Sequence, residues 1–159
     1  MLRGLLDRYG LERLYAWGHP RGLEAGRSQA AFAEMLAALG HAQALGAEVM
    51  RVVSSNGVYR HEPHGPQLQR LQAQHRQAAA VAQRRGVRLA VENHLDFSAD
   101  ELLELVEAVG SPYLGITFDT GNFVRLGEDP AAALGKLGSF VYATHLKDVR
   151  EAPAEAADG

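Results

Sequence analysis

Three side chains able to bind a divalent cation fall at equivalent points of the sequence. Glu92 follows the apolar run VRLAV, Asp119 follows LGITF and His145 follows FVYAT. Neighbouring strands of a sheet lie about 4.8 Å apart, so groups leaving the same ends of adjacent strands converge. Two carboxylates and an imidazole suit Mn2+, Mg2+ or Co2+ better than a structural zinc. The chain has no cysteine, which excludes disulfides, thiolate chemistry and cysteine-based zinc sites. A single acid at a strand end is more often a solvated residue or a helix cap. Three in matching positions make a shared site the sharper reading.

Strand parity gives an independent check, because alternate residues face opposite sides of a sheet. Counting back by twos places Ala90 behind Glu92, Thr117 and Gly115 behind Asp119, and Ala143 behind His145. These small groups suit a crowded interior. The other parity carries Leu89, Val91, Ile116, Phe118, Phe140 and Tyr142, bulky side chains expected under helices. One register serves all three strands.

The elements that must position these groups alternate strand and helix. An apolar run at 11–17 is followed by Ser28 as N-cap, with Phe32, Met35, Leu36 and Leu39 at helical spacing and Gly46 as stop. VMRVV at 49–53 is the second strand, ending in the turn SSNG. Pro66 opens the next helix, which carries Leu68, Leu71, Ala78, Val81 and Ala82 on one face and ends at Gly86. Residues 87–91 form the third strand. Ser98 and Glu101 make a capping box for a helix with Leu102, Leu105, Val106 and Val109, closed by Gly110. The fourth strand is 114–118, Asp129 and Pro130 start a short helix, and 140–144 is the fifth strand. Five such alternations predict an α/β fold with a parallel sheet covered by helices, open or closed into a barrel. No glycine-rich phosphate loop follows any strand, which weakens a nucleotide-binding reading.

Composition narrows the partners. The net charge is −3 over 159 residues and no Arg cluster forms a patch, which argues against nucleic acid. No apolar run approaches the roughly 20 residues that span a bilayer. MLRGLLDRYG lacks the apolar core and cleavage site of a signal peptide, so the expectation is a cytoplasmic protein. Residues 1–150 read as the domain and 151–159 as a polar tail or loop.

The segments VENH (91–94), FDTGN (118–122) and HLKD (145–148), in this order and about one βα unit apart, resemble the xylose isomerase-like superfamily of sugar phosphate isomerases and epimerases. The resemblance covers most of the chain from about Leu11 onward. It implies a (β/α)8 barrel whose single metal is held by Glu, Asp, His and a second Glu from the last strand. Glu92, Asp119 and His145 match the first three, and the fourth has no counterpart. The chain therefore reads as a partial TIM barrel of about five βα units, resembling strands 3 to 7 and lacking the first two and the last.

Several functional expectations come with the resemblance. The activity is a divalent-metal-dependent isomerisation or epimerisation of a sugar or sugar phosphate, by proton transfer through a metal-stabilised enediolate. Glu92 serves as both ligand and acid/base, and His94, Asn122 and Lys147 contact the substrate. The metal is Mn2+, with Mg2+, Co2+ or Zn2+ as alternatives. Asn122 stands where several relatives carry the His of a D-x-x-H pattern, which argues against the multi-zinc site of apurinic-site endonuclease relatives. An inosose-type dehydratase, an apurinic-site endonuclease relative and a non-catalytic barrel remnant stay open as alternatives. Open barrel edges favour a homo-oligomer, and the missing fourth ligand implies that this chain alone is inactive.

Overall fold

The computed structural model describes residues 2–149. The expected tail at 151–159 lies outside them. In chain order the elements are α1 (Leu2–Arg8), β1 (Leu14–Ala16), α2 (Gln29–Leu45), β2 (Val49–Val52), α3 (His64–Arg85), β3 (Arg88–Glu92) and α4 (Ala99–Val109). They continue through β4 (Leu114–Asp119), α5 (Thr120–Leu126), α6 (Pro130–Leu137) and β5 (Val141–His145). The five strands form one sheet in the order β1-β2-β3-β4-β5, every pair parallel. Sequential parallel neighbours joined by helices are the connectivity of a (β/α) barrel, and the sheet is a half-barrel with helices on its outer side.

The helices begin and end where the sequence places caps. The Ser28 hydroxyl accepts from the Ala31 backbone N–H at the start of α2, and the Ser98–Glu101 box closes reciprocally at the start of α4. Gly46, Gly86 and Gly110 end α2, α3 and α4 in the left-handed conformation, which costs glycine little. α3 starts two residues before Pro66, because Pro63 rather than Pro66 marks the turn into it.

The core lies between the sheet and its helices. Met50, Val52, Leu89, Val91, Leu114, Ile116 and Phe118 point outward from the strands and pack against Met35, Leu39, Leu71, Ala78, Leu102 and Leu105. Each fully buried aliphatic side chain of this kind contributes roughly 1.5–3 kcal/mol. α1, by contrast, buries none of its residues. Nothing in the sequence pattern singled it out as an element.

The parity reading needs one correction, in β5. The pairing of β4 with β5 slips between Ile116 and Thr117, so Ile116 faces Val141 while Thr117 faces Ala143. Tyr142 is the extra residue of this bulge. Val141 and Phe140 pack on the core, but Tyr142 turns to the concave side. Its hydroxyl donates to the Pro112 carbonyl at 2.9 Å, and the Arg88 guanidinium lies over its ring at 4.8 Å. Gly115 makes room for it: a side chain there would meet the Tyr142 ring at 2.6 Å. A period-two count assumes an unbroken ladder, and the bulge breaks it.

Candidate metal centre

Glu92 ends β3, Asp119 ends β4 and His145 ends β5, all at the carboxyl edge of the sheet. The β4–β5 register sets Asp119 directly beside His145. One ligand atom from each of the three residues lies within 4.8 Å of the others. His145 Nδ1 is 3.0 Å from Glu92 Oε1 and 3.6 Å from Asp119 Oδ2. The two acids are buried, at 3% and 0% exposure, while the imidazole is 39% exposed and forms the open side of the site.

Asp119 is fixed from several directions. Its Oδ1 accepts from the Asn122 backbone N–H at 3.0 Å, so the residue ends β4 and caps α5 at once. The Asn93 side chain brackets its backbone, donating to the Asp119 carbonyl at 3.0 Å and accepting from the Asp119 N–H at 2.8 Å. Oδ2 is buried and receives no hydrogen bond, but the Lys147 ammonium stands 2.5 Å away as an ion-pair partner. Burial pushes this carboxyl up. The Lys147 charge and the Asn122 N–H outweigh that push and hold it below the ordinary aspartate value.

Glu92 is held by Arg51, which reaches across from β2 and ion-pairs with Oε2 through Nε and Nη2. Arg51 Nη1 also lies 3.5 Å from the Trp17 carbonyl. With Oε2 taken by this fork, Oε1 is the oxygen that faces His145. Sequence reasoning passed over Arg51 and Asn93. Both left a signal: a charged residue in the middle of an apolar strand, and an amide directly after the Glu of VENH.

The donor set fits a small divalent cation. Ligands in neighbouring positions around an octahedral ion, each bound at about 2.1 Å, stand roughly 3 Å apart, close to the 3.0 and 3.6 Å separations of the imidazole from the two carboxylates. Oδ2 of Asp119 is buried and already draws one cation, the Lys147 ammonium at 2.5 Å, which marks it as an oxygen where positive charge is favoured. Chemically, such a triad can hold a Lewis acid beside one carboxylate able to move a proton.

Asn122 and His94, two of the expected substrate contacts, follow Asp119 and Glu92 closely in the chain. Asn122 is buried; its amide N–H2 donates to the Asn93 carbonyl at 2.8 Å, leaving Oδ1 facing Lys147 at 3.5 Å. His94 is half-buried, its backbone N–H donating to Asp96 Oδ1 and its Nδ1 buried without a partner. Asp96 itself is buried, which pushes its carboxyl up to about 6 although the His94 and Phe97 N–H groups donate to it. Trp17 belongs to the core, with His19 stacked on it. Ser54 pairs with His75 at 2.8 Å inside the fold, Asn56 caps a short turn, and His64 pairs with Glu101.

Comparisons with known proteins agree with this architecture. A xylose isomerase domain protein from Planctomyces limnophilus superposes on 95% of the chain with a TM-score of 0.82 at 25% identity, and the chain spans 59% of it. An L-ribulose 3-epimerase superposes on 91% with a TM-score of 0.79 at 20% identity, the chain spanning 53% of it; this likeness concerns the fold. Inosose dehydratase from Clostridium beijerinckii is 30% identical over 73 residues, covering 44% of this chain and 24% of that enzyme. The chain thus spans well under two thirds of the proteins it matches. The sequence profile of the xylose isomerase-like TIM barrel matches residues 1–158, and the chain belongs to that family.

Proposed function

We propose that this chain carries the metal centre and one proton-transferring carboxylate of a sugar isomerase or epimerase. The observation that carries the reading is the convergence of Glu92, Asp119 and His145 within 4.8 Å at the carboxyl ends of three adjacent strands. The epimerases among the structural neighbours support the substrate class, a sugar or related polyol. The ion is Mn2+ on this reading, held by those three side chains. When bound it supplies electrophilic polarisation of the substrate's oxygens.

The residues of the chain do the rest. Glu92 takes the proton from the carbon beside the carbonyl with the carboxylate oxygen that the ion would leave free, and the Arg51 fork on Oε2 keeps that carboxylate in one orientation. Asp119, pinned by Asn93 and Asn122, keeps the ligand frame rigid. Lys147, the Asn122 Oδ1 and His94 border the centre and offer donors and acceptors to substrate hydroxyls. A single carboxylate on one face returns the proton to the face it came from, so Glu92 accounts for hydrogen exchange at that carbon and not for its inversion.

The test is solvent deuterium exchange followed by NMR, with Mn2+ and a panel of ketoses, aldoses and inososes. The expected outcome is deuterium entering the carbon next to the carbonyl, with loss of that signal in Glu92→Gln. Loss of water from the inosose instead would assign a dehydratase, in line with the partial match to inosose dehydratase. Absence of exchange on every substrate while Mn2+ is bound would contradict the reading.

A further inference from the structure

Two cations stand on the two buried carboxylates of the centre, and they are built differently. Arg51 comes from within β2, is 18% exposed, and is held by a fork onto Glu92 and by the Trp17 carbonyl. Lys147 comes from the segment after β5, its side chain is 48% exposed, and its ammonium touches Asp119 Oδ2 at 2.5 Å. Its backbone is anchored separately: the Lys147 N–H donates to the Thr120 hydroxyl at 2.9 Å, and that hydroxyl lies 3.3 Å from the Lys147 carbonyl. The stem passes over Gly121, where even a methyl group would come within 2.8 Å of it. The backbone is therefore held while the head is free to swing.

From this geometry we infer that Lys147 is a displaceable countercation. It neutralises Asp119 until a divalent ion takes the same oxygen, and it then turns its ammonium to the mouth of the site. The inference rests on the metal reading above. A dication and an ammonium cannot share Oδ2, which is the oxygen nearest the His145 ring. A buried carboxylate left without any cation is costly. A compact ammonium on a flexible four-carbon stem meets that need and is released readily, whereas the Arg51 fork is rigid and stays. Once displaced, the head has Asn122 Oδ1, now 3.5 Å away, as its nearest polar neighbour. It becomes a donor to an oxygen-rich or anionic ligand group only in the metal-loaded protein. Metal binding thus precedes productive substrate binding.

Lys136 and Lys147 are the two lysines of the chain, which makes the test clean. Lys136, paired with Asp100 at 2.6 Å on α6, serves as internal reference. The full chain is acylated with a small activated ester at fixed pH over a Mn2+ titration, and labelling at each lysine is read by peptide mass spectrometry. Binding is followed in parallel by the paramagnetic resonance of free Mn2+. Lys147 labelling is expected to rise about tenfold along the binding curve, as expected for an ammonium freed from a buried partner, with Lys136 constant. Lys147→Met is expected to bind Mn2+ about tenfold more tightly than the unaltered chain, because the competing charge is gone. Mn2+ binding with Lys147 labelling unchanged or reduced would overturn the exchange and leave the metal reading standing. Failure of both chains to bind Mn2+ would overturn both.

Discussion

Glu92, Asp119 and His145 were visible in the sequence because each is a donor placed immediately after an apolar strand, and strand ends are where period and parity constrain direction most. Their supports were harder to read. Arg51 looks like a strand residue and Asn93 like a turn residue until the partner strands are in place. The same holds for His75, a ring at helical spacing whose Nε2 meets Ser54 Oγ at 2.8 Å inside the fold. Burial lowers the His75 pKa to about 4, against about 6.5 in an unfolded chain. The unfolded state therefore takes up a proton that the native state refuses as pH falls from 6.5 toward 4, and the native state is destabilised there. Going from pH 7 to pH 5, the unaltered chain is expected to lose about 2 kcal/mol more stability than His75→Gln. Urea unfolding midpoints at the two pH values check this; equal losses in the two chains would contradict it.

The five strands and α2, α3 and α4 carry clear caps and stripes, so their existence and order could be read directly. Besides α1, two features could not. α5 follows β4 without a loop, since Asp119 is both strand terminus and helix cap, and TGN directly after it reads as a turn. The bulge at Tyr142 depends on a ladder slip that no periodicity announces. That bulge matters to the site, because it sets the phase in which β5 delivers His145 next to Asp119. Gly115→Ala forces a methyl against the Tyr142 ring and is expected to cost about 1–3 kcal/mol, as overpacking does. It should also weaken Mn2+ binding by shifting β5, whereas Ala→Gly at the exposed Ala108 should leave binding unchanged. Thermal melts and metal titrations of the two variants separate a local site effect from a general loss of stability.

The half-barrel leaves β1 and β5 as edge strands among the described residues. Exposed Leu14 lies on the β1 edge, and exposed Leu146 and Val149 follow β5. Edges with unpaired backbone groups and apolar neighbours recruit further strands, so the chain is expected to self-associate as its concentration rises. Sedimentation velocity over a hundredfold concentration range reads this directly, and a monomer throughout would contradict it. The family resemblance in the sequence pointed to this partial barrel; the pattern of the described residues does not encode what covers its edges. The account as a whole depends on three side chains sharing one cation, and Mn2+ titration by calorimetry tests that most directly. The expected result is one ion per chain, with affinity falling at least about tenfold in each of Glu92→Gln, Asp119→Asn and His145→Ala, as loss of a ligand implies. Unchanged affinity in all three variants would contradict it.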